Sequence, residues 1–243
     1  MVDNGGVMAH GRTTQPAAPA RGRRLRAPLR VCELSGLRQR PRLPELSRLL
    51  ELSPATLTLA VVVLAVSDWG SRLAGDSLFP GGPLDEIAHL LTTLLVFWAL
   101  GARVRGRFLV PALMISVAID LDHLPGRLGA GWLTAGTPRP YTHSLLTIAV
   151  LLAAAALGPR RRDGLLGVVI GLVIHFARDM AEGASGVSLL WPVSYHPFQY
   201  SHGVYVAIMA AFVLIDTMVC VRRKNASNSS SGWRTRAPQS EPS

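Results

Sequence analysis

Apolar residues in this chain gather into six runs, roughly 54–70, 85–101, 107–121, 143–158, 164–181 and 203–221, separated by glycine, proline and charge. A helix at a protein–water boundary shows a polar stripe at helical spacing. Stretches such as TLTLAVVVLAV, LLTTLLVFWAL and TIAVLLAAAAL are instead apolar or weakly polar all round. Each uninterrupted apolar core is shorter than the ~20 residues that cross a bilayer, a length that also suits buried helices of a soluble protein. The missing polar stripe decides for lipid, and the pattern predicts an all-α, polytopic membrane helix bundle of about six transmembrane helices.

Composition agrees, with 49% hydrophobic and 16% charged residues in a chain of 243. The net charge of +10 brings nucleic acid to mind, because clustered arginines neutralise phosphates. These arginines, however, occupy the N-terminal segment and the short gaps between apolar runs, which suits a membrane surface; no nucleic-acid partner is expected. Cys32 and Cys220 are the two cysteines, so neither a disulfide framework nor a thiolate metal cluster is available. Residues 1–48 are rich in Arg, Pro, Gly and Ala without periodicity and read as a disordered cytoplasmic arm. Residues 49–222 form the transmembrane domain, and 223–243 a disordered polar tail.

Positive charge also sets an orientation, since lysine and arginine concentrate in cytoplasmic loops beside spanning helices. The arm before the first run is arginine-rich; the link between runs two and three holds Arg103, Arg105 and Arg107; that between four and five holds Arg160, Arg161 and Arg162; Arg222, Arg223 and Lys224 follow run six. The remaining links hold Arg72, Arg127 and Arg139, with Arg178 near the end of run five. Every second loop is basic, which predicts both termini in the cytoplasm.

On that topology the ionisable residues converge on the exoplasmic face. His89 lies one turn into run two; Asp120, Asp122 and His123 close run three; His143 opens run four; His175 and Asp179 end run five; His202 opens run six. A carboxylate within the membrane costs roughly 2.5–3.5 kcal/mol even on the lenient insertion scale, so several at one depth need partners, water or a cation. His175 and Asp179, four apart, and Asp120 and His123, three apart, can each reach one ion from one helix face. Imidazole and carboxylate without thiolate suit zinc, manganese or iron, in a catalytic site with an open position. Thr142 and Ser201 have the character of N-caps for the helices that follow them.

These residues fall in motifs, IDLDH at 119–123, RPYTHSLL at 139–146, HFARDM at 175–180 and GVSLLWP at 186–192, with His89 in EIAHLL. In this ordered combination, over roughly 84–192, the chain resembles the YdjM-type family of bacterial inner-membrane proteins grouped as metal-dependent hydrolases. The resemblance implies a divalent metal, zinc first and manganese or iron next, held by His89, Asp120, Asp122, His123, His143, His175 and Asp179. Two positions depart from the family pattern: Pro140 stands where a glycine usually follows the arginine, and AEGASG replaces a threonine after the second aspartate. Glu182, in that second stretch, is a candidate extra ligand or base.

The implied activity is metal-dependent hydrolysis of an ester or phosphoester at the exoplasmic face, with Arg139 steadying developing charge and Glu182 a candidate base. Membrane lipids and a lipid-linked or periplasmic small molecule are the expected partners. The alternative is a transporter or metal-binding membrane protein without chemistry. The loop WPVSYHPFQYSH, 191–202, reads as an interfacial aromatic belt or a lid, with His196 and His202 as secondary candidates. A cysteine placed at Gly131 in a cysteine-free background should react with an impermeant thiol reagent on intact cells, and one at Gly164 should stay protected; the reverse pattern would invert the topology.

Overall fold

A computed structural model describes residues 52–75, 77, 79–182 and 185–232, without the side chains of 182 and 227–232. The arm at 1–48 and the end of the tail, 233–243, lie outside the described residues. The described residues form six long helices and one short one: α1 (Pro54–Ala74), α2 (Gly81–Ala99), α3 (Ala102–Ala118), the short α4 (His123–Arg127), α5 (Leu145–Leu157), α6 (Arg162–Glu182) and α7 (His202–Gly232). Tight 3-10 turns at Ile119–Asp122 and Gly131–Thr134 flank α4. Among the described residues there is no strand, and one isolated antiparallel bridge joins Val187 to Phe198.

The six long helices match the six apolar runs, and α7 stays helical to Gly232, past the basic residues that close the last run. Four segments are long and apolar enough to cross a membrane: Pro54–Ala74, Ala102–Arg127, Arg162–Ala181 and His202–Ala226. Helix α5, with 13 residues, is shorter than a bilayer crossing. Helix α2 carries Asp85, Glu86, His89, Thr92 and Thr93 on its inner turns, which lowers its apolar character. Leu59, Val62 and Val66 on α1, Met114 on α3, Val150 on α5 and Leu214 on α7 are more than half exposed. Large apolar side chains facing outward on so many helices are what a lipid-facing bundle presents.

Local sequence explains the ends. Ser53 and Thr56 form a reciprocal capping box, with Ser53 Oγ accepting from the Thr56 amide at 3.1 Å and the Ser53 amide donating to Thr56 Oγ1 at 2.8 Å. Pro54 occupies the first turn, where its missing N–H leaves nothing unsatisfied. Leu57, Leu64, Ala88, Leu95, Tyr205 and Met209 pack α1, α2 and α7 together, while Ile119, Leu172 and Phe176 join the end of α3 to α6.

The closest helix pair is the one that matters for the site. A Cβ on Gly171 would meet the Ala112 carbonyl oxygen at 2.6 Å, and one on Gly167 would meet the Phe108 carbonyl oxygen at 2.8 Å. Glycines four apart on α6 thus let the backbones of α3 and α6 touch, as small residues do in membrane helix pairs. Continuing the same four-residue spacing along α6 gives His175 and Asp179, so the close approach carries both toward the end of α3. Arg107 at the start of α3 meets Asp163 at the start of α6, which places two of the arginine-bearing links at the opposite end from these residues.

Gly171→Val should lower the thermal stability of the detergent-solubilised protein by about 1–3 kcal/mol, the usual range for forcing volume into a packed contact. Gly164→Ala, which has open space around its Cβ, should leave it unchanged. Equal melting temperatures for the two variants would show that α3 and α6 do not depend on this contact.

Candidate metal centre

At the end of the bundle opposite Arg107 and Asp163, side chains from α2, the 3-10 turn and α4 after α3, the segment before α5, and α6 meet in one cluster. His89 reaches in from α2, Asp120 and Asp122 from the turn, His123 from α4, and His175 and Asp179 from one face of α6. His143 precedes α5, which begins at Leu145 with Ser144 in the N-cap position. The Thr142 cap expected from sequence is therefore corrected: the Thr142 hydroxyl donates to Asp122 Oδ2, because His143 and Ser144 separate it from the first helical turn and the carboxylate lies beside it.

Asp120 Oδ1 lies 3.4 Å from His123 Nε2, 3.4 Å from His143 Nε2 and 3.4 Å from His175 Nε2. Asp179 Oδ1 lies 3.3 Å from His89 Nε2, and its Oδ2 3.3 Å from His175 Nε2 and 3.7 Å from His143 Nε2. Asp122 Oδ2 is 3.4 Å from His143 Nδ1, and Asp122 Oδ1 is 3.9 Å from His123 Nε2. The His89 and His175 rings stack at 3.9 Å with 17° between their planes. His89, His143, His175 and Asp179 are all at most 2% exposed. Two groups have ligand atoms close enough to hold a cation: His89, His175 and Asp179, and Asp120, His123 and His143.

The side chains fit a cation. His175 Nδ1 lies 3.1 Å from the carbonyl oxygen of Ser116, which accepts only, so this nitrogen carries the proton. In the neutral ring, Nε2 then presents a lone pair to two carboxylate oxygens, acceptor against acceptor. Buried polar groups ordinarily find hydrogen-bond partners. Here His89 Nε2, His123 Nε2, His143 Nε2, His175 Nε2 and Asp120 Oδ1 are buried without one. Separations of 3.3–3.4 Å are long for hydrogen bonds. They equal the edge, about 3.3–3.4 Å, of a tetrahedron whose ligands lie roughly 2.0–2.1 Å from a central zinc. The Ser116 contact is the outer hydrogen bond that characteristically orients a ligating histidine.

Arg139 joins this cluster directly, its Nη1 3.1 Å from Asp179 Oδ2. Glu182 closes α6, and its side chain lies outside the described residues. Neither secondary histidine belongs to the two groups: His196 is exposed beside the Phe198 ring, and His202 stands against Tyr205 on α7. The loop after α6 folds back over this end. Its Trp191 ring stacks on Tyr141 at 4.4 Å, the Leu145 amide donates to the Leu189 carbonyl at 2.8 Å, and the Tyr200 hydroxyl donates to the Ala177 carbonyl.

A model of the YdjM inner membrane protein family matches residues 84–234, more than half of the chain and every helix of this cluster. The chain belongs to the YdjM family. No curated protein and no solved structure matches it. Family membership and the four membrane-capable helices make it a multi-pass inner-membrane protein.

Beside the YdjM cluster lies a second polar feature that sequence reasoning did not single out. Arg178, 1% exposed, binds Asp68 Oδ1 on α1 at 2.8 Å, Asp85 Oδ1 on α2 at 3.2 Å and the Tyr205 hydroxyl on α7 at 3.0 Å. Thr92 Oγ1 completes the network 2.8 Å from that hydroxyl. One guanidinium thus ties α6 to three other helices, and Asp85 Oδ1 in turn stands 3.8 Å from His89 Nε2. The signal was present in SDWG and HFARDM: a charge inside an apolar run implies a partner in another run. Arg178→Met should destabilise the protein by about 3–5 kcal/mol, since it strands buried carboxylates. Adding Asp68→Asn to that variant should restore part of the loss in a thermal melt, and strict additivity would refute the pairing.

Proposed function

We propose that this YdjM protein is a membrane-bound, metal-dependent hydrolase whose centre, formed by His89, Asp120, Asp122, His123, His143, His175 and Asp179, faces the exoplasmic side. The observation that carries this reading is Asp120 Oδ1 at 3.4 Å from three imidazole nitrogens that have no hydrogen-bond partner. Zinc is the best match to the donor set and to the tetrahedral edge length, with manganese and iron next. Two groups of donors, one on each side of the shared Asp120 and His175 contact, give room for two ions. Six crossing helices with both termini in the cytoplasm remain our reading, supported by the alternating arginine-rich links.

A divalent ion at such a centre supplies a Lewis acid and a water nucleophile competent near neutral pH. The chain's own residues do the rest. His175 is oriented by Ser116, and Thr142 orients Asp122. Arg139 sits at the less buried edge, with 18% of its side chain exposed, where its guanidinium can steady a phosphate oxygen. Glu182, at the end of the same helix, is our candidate base. A centre at the membrane boundary suits an ester or phosphoester carried on a lipid or delivered from the periplasm, and phosphoesters match Arg139 best. Membrane lipids are the partners this position implies.

Metal analysis of the detergent-purified protein should find zinc or manganese bound, and Asp122→Ala with His175→Ala should remove most of it. The same preparations should hydrolyse bis(p-nitrophenyl) phosphate or a fluorescent phospholipid, and lose that activity with Arg139→Ala while retaining metal. Bound metal without turnover of either ester would favour a carrier over an enzyme. Equal metal in wild type and double variant would end the ligand assignment.

A further inference from the structure

Glu86 lies on α2 three residues before His89, on the same helix face. Its carboxyl group comes into hydrogen-bonding range of Asp120 and feels the charges of Asp85 and His175. Glu86 Oε2 is buried without a hydrogen-bond partner, as is Asp120 Oδ1. Two carboxylates brought together in a partly buried site repel each other unless a proton or a cation lies between them. Asp85 already has Arg178 at 3.2 Å, and Asp179 has Arg139 at 3.1 Å. Glu86 instead interacts with Asp120, the one carboxylate whose Oδ1 is also ringed by three imidazole nitrogens, and its own Oε2 is left without a hydrogen-bond partner.

A shared proton would join Glu86 to Asp120 and do nothing for the imidazoles. His175, with no measurable exposure, would still aim an unpartnered Nε2 at the same oxygen. A cation serves the carboxylates and the imidazoles together. We infer that Glu86 is a cation-binding residue of this centre, entering from α2 beside Asp120. The inference rests on the reading of the cluster as a metal centre and adds a carboxylate that the spacing of the His and Asp motifs does not reveal. It also assigns α2 a pair of residues in the site, Glu86 and His89, one turn apart.

The test uses full-length protein in detergent, stripped with chelator and titrated with zinc and separately with manganese, with bound metal read by mass spectrometry. Glu86→Gln keeps the shape and removes the charge. It should weaken uptake of at least one ion by about tenfold or more, the scale of losses seen around metal sites. The stripped variant should melt at the same or a higher temperature than stripped wild type, since the repulsion with Asp120 is gone. Glu86→Asp should fall between the two in affinity. Wild-type affinity and stoichiometry in Glu86→Gln, with His175→Ala still losing metal, would overturn the role of Glu86 and leave the centre standing. A wild-type chain that takes up neither ion would overturn both.

Discussion

Acidic and imidazole groups gathered away from water are tolerable only if something of opposite charge holds them together. That constraint organises this molecule. Asp120, Asp122 and Asp179 face His89, His123, His143 and His175 across gaps of 3.3–3.4 Å, long for hydrogen bonds, at one end of a bundle that exposes many large apolar side chains. Desolvating a carboxylate costs several kcal/mol, and the mutual attraction of imperfectly paired groups does not recover it. A divalent ion held by the two donor groups would do so, which is why we propose one there.

The helices are placed to serve that cluster. Gly167 and Gly171 bring the α6 backbone against α3, and the next two turns of the same face carry His175 and Asp179 to Ser116 and Asp120. Tighter helix contact at one end is thereby converted into donor geometry at the other. Arg178 supplies the complementary fastening, holding α1, α2 and α7 around α6 without entering either donor group itself. The protein therefore separates two kinds of buried charge: a guanidinium network that ties four helices together, and a carboxylate–imidazole set that could hold a metal ion.

Much of this was legible in the sequence, because helical period and charge alternation are local properties. The six apolar runs locate the six long helices, and the four-residue spacing of His175 and Asp179 predicts their shared face. What was not legible depends on contacts between helices. The Thr142 hydroxyl caps nothing because His143 and Ser144 are still outside α5, a boundary that propensity does not set. Asp68 in SDWG signals only that a partner exists, and that the partner is Arg178 emerges once α1 is packed. The backbone approach at Gly167 and Gly171 likewise emerges only once α3 is in place.

The central claim is that one centre organises these side chains, and crystallography at a metal absorption edge addresses it most directly. Crystals of the zinc-loaded protein should show anomalous density between Asp120 and the Nε2 atoms of His143 and His175, about 2.0–2.2 Å from the ligating atoms. Density confined to the surface, with Asp120 and His175 in direct contact or turned to separate surroundings, would contradict the account.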